Sequence, residues 1–131
     1  MKEKHIVHIV LVEDEQALAQ SLTDAFEGVG YQVTLETDGE KAFDVISENK
    51  PDLIILDMML PGKTGTFILQ EVRYNEQTAK IPVMVLSNIS EVSDIEERIE
   101  DEPELTSYLL KSSSSLKQIV AKAQEMMGGE Q

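Results

Sequence analysis

Cysteine is absent from the 131 residues, which excludes disulfides and thiolate-held metals. Long hydrophobic runs are absent too, and none approaches the roughly 20 residues a helix needs to span a bilayer. Glycines are scattered and GxxxxGK[ST] does not occur, so there is no loop to cradle the phosphates of a bound nucleotide. Basic residues are scarce. The 11 Lys and Arg stand against 25 Asp and Glu, a formal charge of −14 that argues against nucleic acid and favours basic partners or divalent cations. No low-complexity tract, linker or internal repeat interrupts the chain. The expectation is a single domain over residues 1–131, large enough for a real core. Met1-Lys2-Glu3-Lys4 runs directly into a strand-like segment, so no secretory leader is expected, and the expected compartment is the cytoplasm.

What is present is organised around Leu53-Ile54-Ile55-Leu56-Asp57-Met58-Met59-Leu60-Pro61-Gly62. An unbroken apolar run bounded by Pro51-Asp52 and Pro61-Gly62 reads as a short strand covered on both faces, as in a parallel sheet. Asp57 stands where that strand runs out. Ligands of open α/β sheets bind at the carboxyl ends of the strands, so an acid there is expected to be presented rather than buried. By itself, Asp57 reads sooner as a turn former before Pro-Gly.

Residues 5–12, 31–36, 83–86 and 105–110 read as the other strands. Between them fall helical spacings: Leu18, Leu22, Ala25, Phe26 and Val29; Ala42, Val45 and Ile46; Phe67 to Val72; Val92, Ile95 and Ile99; and Leu116, Ile119, Val120 and Ala123. Gly28 and Gly30 offer a stop to the first helix, Asp38-Gly39 reads as a turn, and Ser112 to Ser115 read as a loop with an N-cap. His8, with no second His or Cys nearby, reads as an inert strand residue. Alternating strands and helices predict a five-stranded parallel sheet doubly wound by five helices. The order 2-1-3-4-5 is taken over by analogy with flavodoxin-like folds. In that order Glu13 and Asp14, closing the first strand, sit beside Asp57.

Three carboxylates at one sheet edge repel one another, and a hard divalent cation, Mg²⁺ or Mn²⁺, relieves that repulsion. The fourth strand ends on a hydroxyl, Ser87, and the fifth on an ammonium, Lys111. Each alone is ordinary: Ser87 a turn former, Lys111 a solvated strand-end lysine, Tyr108 a packing residue. Together, a carboxylate nucleophile, a cation site, a hydroxyl and a lysine are what phosphoryl transfer onto an aspartate requires.

Leu11-Val12-Glu13-Asp14-Glu15, Asp57-Met58-Met59-Leu60-Pro61-Gly62 with Gly65, Leu86-Ser87 and Tyr108-Leu109-Leu110-Lys111 resemble the receiver domain of two-component response regulators, over the whole chain. The resemblance implies that a sensor histidine kinase or phosphotransfer protein donates a phosphoryl group to Asp57. It implies Mg²⁺ held by Asp14, Asp57 and the Met59 carbonyl, with Glu13 acting through water. Ser87 and Lys111 would hold phosphoryl oxygens. Ser87 and Tyr108 would act as a switch that reshapes the surface of the fourth predicted helix, fifth strand and closing helix for a downstream protein target. Neither nucleic acid nor membrane is an expected partner, and catalysis is expected only of the domain's own phosphorylation and dephosphorylation.

The sequence departs from the family pattern at Asn88, where a small residue is usual, and at Ser112, where proline usually follows the lysine. Met59, Asn88 and Ile89 are expected to crowd the water that hydrolyses the phospho-aspartate, and the Lys111–Ser112 bond is expected to be trans. No output domain is expected within the chain, which reads as a stand-alone receiver or a piece of a longer protein. Two other readings compete. An aspartate-nucleophile phosphatase would want a second acid two residues past Asp57, where Met59 stands. A receiver-like module that is never phosphorylated would be expected to have lost a site residue.

Overall fold

The computed structural model describes residues 5–87, 105–111 and 114–128. Five parallel strands, β1 (His8–Val12), β2 (Gln32–Glu36), β3 (Leu53–Asp57), β4 (Val83–Ser87) and β5 (Thr106–Leu110), form one sheet in the order β2-β1-β3-β4-β5. This is the expected order. Four helices lie among the described residues: α1 (Gln16–Gly28), α2 (Gly39–Asn49), α3 (Gly65–Tyr74) and a closing helix, Leu116–Met126. The helix expected on Val92, Ile95 and Ile99 falls outside the described residues, as do Asn88, Ile89 and Ser112.

Side-chain alternation along the strands divides the core into two layers. Val10, Val12, Ile54, Leu56, Val83 and Val85 face one way, where Ala42 and Ile46 of α2 and Ile68, Leu69 and Val72 of α3 cover them. Ile9, Leu11, Leu53, Ile55, Met84 and Leu86 face the other way, under Leu22 and Phe26 of α1 and Ile119 and Ala123 of the closing helix. Every residue of β3 and β4 is buried, as the unbroken apolar runs require. None of the described helices is long and apolar enough to cross a membrane.

The first strand is shorter than the sequence suggests. The main-chain N–H of His8 donates to the Asp52 carboxylate at 2.8 Å, and pairing with β2 begins there, at His8 opposite Gln32. The His8 ring shares a 2.7 Å hydrogen bond with Thr34, a structural role. Asp38-Gly39 is not a free turn: Asp38 caps α2 by accepting from the Glu40 N–H at 2.9 Å. Ser115 caps the closing helix through a reciprocal capping box with Gln118.

Candidate functional site

The register explains why the polar strand ends meet. Val12 stands opposite Leu56, Asp57 opposite Leu86, and Ser87 opposite Leu110, so β1, β3, β4 and β5 run out at nearly one level. The residues that follow or finish them, Glu13, Asp14, Asp57, Ser87 and Lys111, therefore share one edge of the sheet. Main-chain hydrogen bonds carry the register past the strands: Met58 N–H donates to Leu86 O at 3.0 Å, and Lys111 N–H to Ser87 O at 2.8 Å.

Lys111 is the centre of charge. Its ammonium Nζ lies 3.0 Å from Asp57 Oδ1 and 3.4 Å from Glu13 Oε1. Asp57 Oδ1 also accepts from the main-chain N–H of Met59 at 3.3 Å. Glu13 Oε2 accepts from the Glu15 N–H at 3.0 Å, while Glu13 Oε1 is buried with no hydrogen bond. The Ser87 hydroxyl is likewise buried without a hydrogen-bond partner. Buried polar atoms are seldom left so, and two at the same edge of the sheet suggest a site shaped for a further group.

Asp57 is only 3% exposed, against the expectation that it would be presented to solvent. It is the last residue of a strand covered on both faces, and its Oδ1 is met by Lys111. Asp14, by contrast, is exposed, and Glu13 is fully buried. Adjacent residues at a strand end point in different directions, so one acid of the pair goes inward and the other out.

Burial is the main influence on Glu13, raising its pKa to about 7 against the Glu15 N–H and Lys111, which lower it, with Asp57 adding to the rise. Burial alone would push the Lys111 ammonium down. The hydrogen bond it donates to Asp57 and the charges of Asp57 and Glu13 outweigh that and raise it above the ordinary lysine value. Lys111 is thus the positive charge set against Asp57 and Glu13.

Glu13, Asp14 and Asp57 each offer a carboxylate oxygen within 4.8 Å of the others. Three hard carboxylate oxygens fit Mg²⁺ or Mn²⁺ and not a soft metal, and the Glu13 carboxylate among them has one buried oxygen, Oε1, without a hydrogen bond. Tyr108 is half-buried on the layer that also holds Val85, opposite which it stands in the register. Ser87, two residues beyond Val85, shares that face of the sheet. Sequence reasoning passed over two main-chain donors, the N–H groups of Glu15 and Met59. Such donors have no residue-type signature and emerge only from the path of the loops.

Residues 9–124 match the family model described as the response regulator receiver domain. Among curated proteins, the chain is 35% identical over 86 residues to the DNA-binding dual master transcriptional regulator RpaA of a Synechocystis strain, an alignment covering 66% of this chain and 36% of that protein. The chain thus spans about a third of the length of this relative. Among solved structures, a putative response regulator from Chloroflexus aurantiacus superimposes with a TM-score of 0.83 at 26% identity, covering 94% of this chain and 98% of the other. The receiver domain of the sensor histidine kinase PA1611 of Pseudomonas aeruginosa, solved with a magnesium ion in its active-site cleft, gives 0.81 at 25% identity, covering 95% and 99%. Matched by the family model over nearly its whole length, the chain belongs to the response regulator receiver domain family.

Proposed function

We propose that this domain accepts a phosphoryl group on Asp57 from a sensor histidine kinase or phosphotransfer protein and passes the signal on by altering its surface. One observation carries the reading: the Asp57 carboxylate meets the Lys111 ammonium at 3.0 Å, inside an acid cluster fit for a cation and close in the register to a buried hydroxyl that lacks a partner.

A carboxylate oxygen of Asp57 forms its bond to phosphorus as the donor's P–N bond breaks. The departing imidazole keeps the electron pair and takes up a proton. Asp14, Asp57 and the Met59 carbonyl would hold Mg²⁺ or Mn²⁺ directly, and Glu13 through water. The magnesium ion in the active-site cleft of the PA1611 receiver domain supports a cation at this site. When bound, the cation offsets charge on the transferring oxygens. Lys111 supplies a second, built-in positive charge for those oxygens, and its pairing with Asp57 keeps the nucleophile in place.

The product carries a new dianionic group at the end of β3. The Ser87 hydroxyl, now without a partner, gains one by donating to a phosphoryl oxygen. Tyr108, on the same sheet face, moves with it, and the surface around β5 and the closing helix is remodelled for a downstream protein. The domain catalyses its own phosphorylation and dephosphorylation only. It acts in the cytoplasm, and with its formal charge of −14 it takes no nucleic acid itself.

The test is incubation with a small acyl phosphate and Mg²⁺, followed by intact mass of the parent and of Asp57→Asn. The expected result is one phosphoryl adduct on the parent and none on the variant. Rapid release of free phosphate would instead favour a phosphatase, and no reaction an inert module.

A further inference from the structure

The Asp38-Gly39 pair has no part in the chemistry proposed above, yet it is held against the functional loop. Gly39 is the first helical residue of α2. The first N–H groups of a helix have no intrahelical acceptor. That of Gly39 donates to the main-chain oxygen of Pro61, at 3.1 Å, in the loop joining β3 to α3. The approach is so close that a Cβ on Gly39 would stand 2.9 Å from the main-chain oxygens of both Pro61 and Lys63. Gly39 is not among the residues with positive φ, so proximity rather than backbone conformation excludes a side chain here.

The neighbouring loop residues interlock with the same helix turn and with α3. Gly62, at φ +88, is so placed that a Cβ there would meet Glu40 Cγ at 2.7 Å. The Lys63 ammonium lies 3.1 and 3.2 Å from the two carboxylate oxygens of Glu71 on α3 and 5.2 Å from the centre of the Phe67 ring. At its other end the loop starts from Asp57 and passes through Met59, whose N–H binds Asp57 Oδ1. A loop anchored at residues 61 and 63 leaves little freedom to the main chain at Met59.

We propose that Gly39 is a positioning residue for the cation site, with Lys63 as a second anchor: the first turn of α2 holds the β3–α3 loop, and so the Met59 main chain, in place beside Asp57. This rests on the reading of Asp14, Asp57 and the Met59 carbonyl as cation ligands. A methyl group on Gly39 presses on main-chain oxygens, not on the tip of a flexible side chain, so helix or loop must shift. Supporting residues one layer out from a metal commonly tune its affinity this way.

The experiment compares the parent, Gly39→Ala, Lys63→Met, Lys63→Arg and, as a control, Gly28→Ala, where nothing lies within 4 Å of the added Cβ. The dissociation constant for Mg²⁺ alone is measured by titration calorimetry well below every melting point, and phosphorylation by an acyl phosphate is followed in parallel. We expect Gly39→Ala to weaken Mg²⁺ binding roughly tenfold, Lys63→Met to weaken it less, and Lys63→Arg and Gly28→Ala to match the parent. A Gly39→Ala protein that melts earlier yet binds Mg²⁺ like the parent has lost only packing, and the inference is overturned. If Gly39→Ala does not fold, Lys63→Met decides alone, an unchanged constant overturning the inference. A parent that binds no Mg²⁺ brings down the cation reading and this inference together. A parent that binds and is phosphorylated beside unaffected variants brings down this inference only.

Discussion

A Cβ added to Gly65 would stand 2.5 Å from the main-chain oxygen of Asp57, and 2.9 Å from the Cα of Met58. Gly65 opens α3, and its N–H donates to Met58 O at 2.8 Å, so the helix begins pressed against the end of the central strand. Glycine is the residue that permits this contact. Gly65→Ala should lower stability by about 1–3 kcal/mol, the usual cost of overpacking. The better helix propensity of alanine, worth up to about 1 kcal/mol, opposes that loss but does not offset a clash with main-chain atoms. Urea unfolding measures the balance. An unchanged or raised midpoint would show that α3 slides away from Asp57 freely.

Magnesium should raise the melting temperature, because it binds the folded acid cluster and not the dispersed acids of the unfolded chain. Such linkage amounts to about 2.7 kcal/mol at a hundredfold excess over the dissociation constant. Asp14→Ala removes the exposed member of the cluster and should abolish most of the shift. Melts with and without millimolar Mg²⁺ check this. A parent insensitive to the ion, or an equal shift in Asp14→Ala, would contradict it.

In the absence of divalent cations, Glu13 should make stability fall as pH rises. Its folded pKa, raised to about 7 by burial, lies above the ordinary glutamate value of 4.5, so between those two values the folded protein binds more protons than the unfolded. The stabilisation is therefore complete below the lower value and lost as pH passes the upper one. Against Glu13→Gln, which does not titrate, the parent should lose on the order of 1–3 kcal/mol across that window. Chemical unfolding in chelator at several pH values measures the difference, and a constant gap between the two proteins would refute it.

Ser87→Ala should leave the unphosphorylated protein as stable as the parent or slightly more stable. The hydroxyl is buried and has no hydrogen-bond partner, so its removal costs no bond and relieves a desolvated polar atom. The phosphorylated form should lose its conformational response, because the donor that would answer the phosphoryl group is gone. Unfolding curves of the free protein and amide exchange around β5 with and without acyl phosphate test the two halves. Marked destabilisation of the free variant would mean that the hydroxyl already serves the resting fold.

Local chemistry alone made most of the fold legible. The apolar runs Leu53-Ile54-Ile55-Leu56 and Val83-Met84-Val85-Leu86 can be covered on both faces only in the middle of a sheet, and β3 and β4 lie there. Residue type likewise marked Asp57, Ser87 and Lys111, since a polar group ending an apolar strand stands out against its neighbours. Strand order was supplied by analogy, because adjacency is a long-range property that no local pattern encodes.

Tertiary structure decided what those residues experience. The charge that faces Asp57 comes from Lys111, at the end of a strand two places away in the sheet. The inward turn of Glu13, with its raised pKa, and the outward turn of Asp14 depend on the chain's path after β1. Asp38-Gly39 has the composition of a turn, and only the arrival of Pro61 and Lys63 against it makes the missing Cβ a requirement of packing. Composition and periodicity act over a few residues, and so specify strands, helices and the types of group at their ends. Burial, pairing and close approach involve groups far apart in the chain, and exist only once the sheet has brought them together.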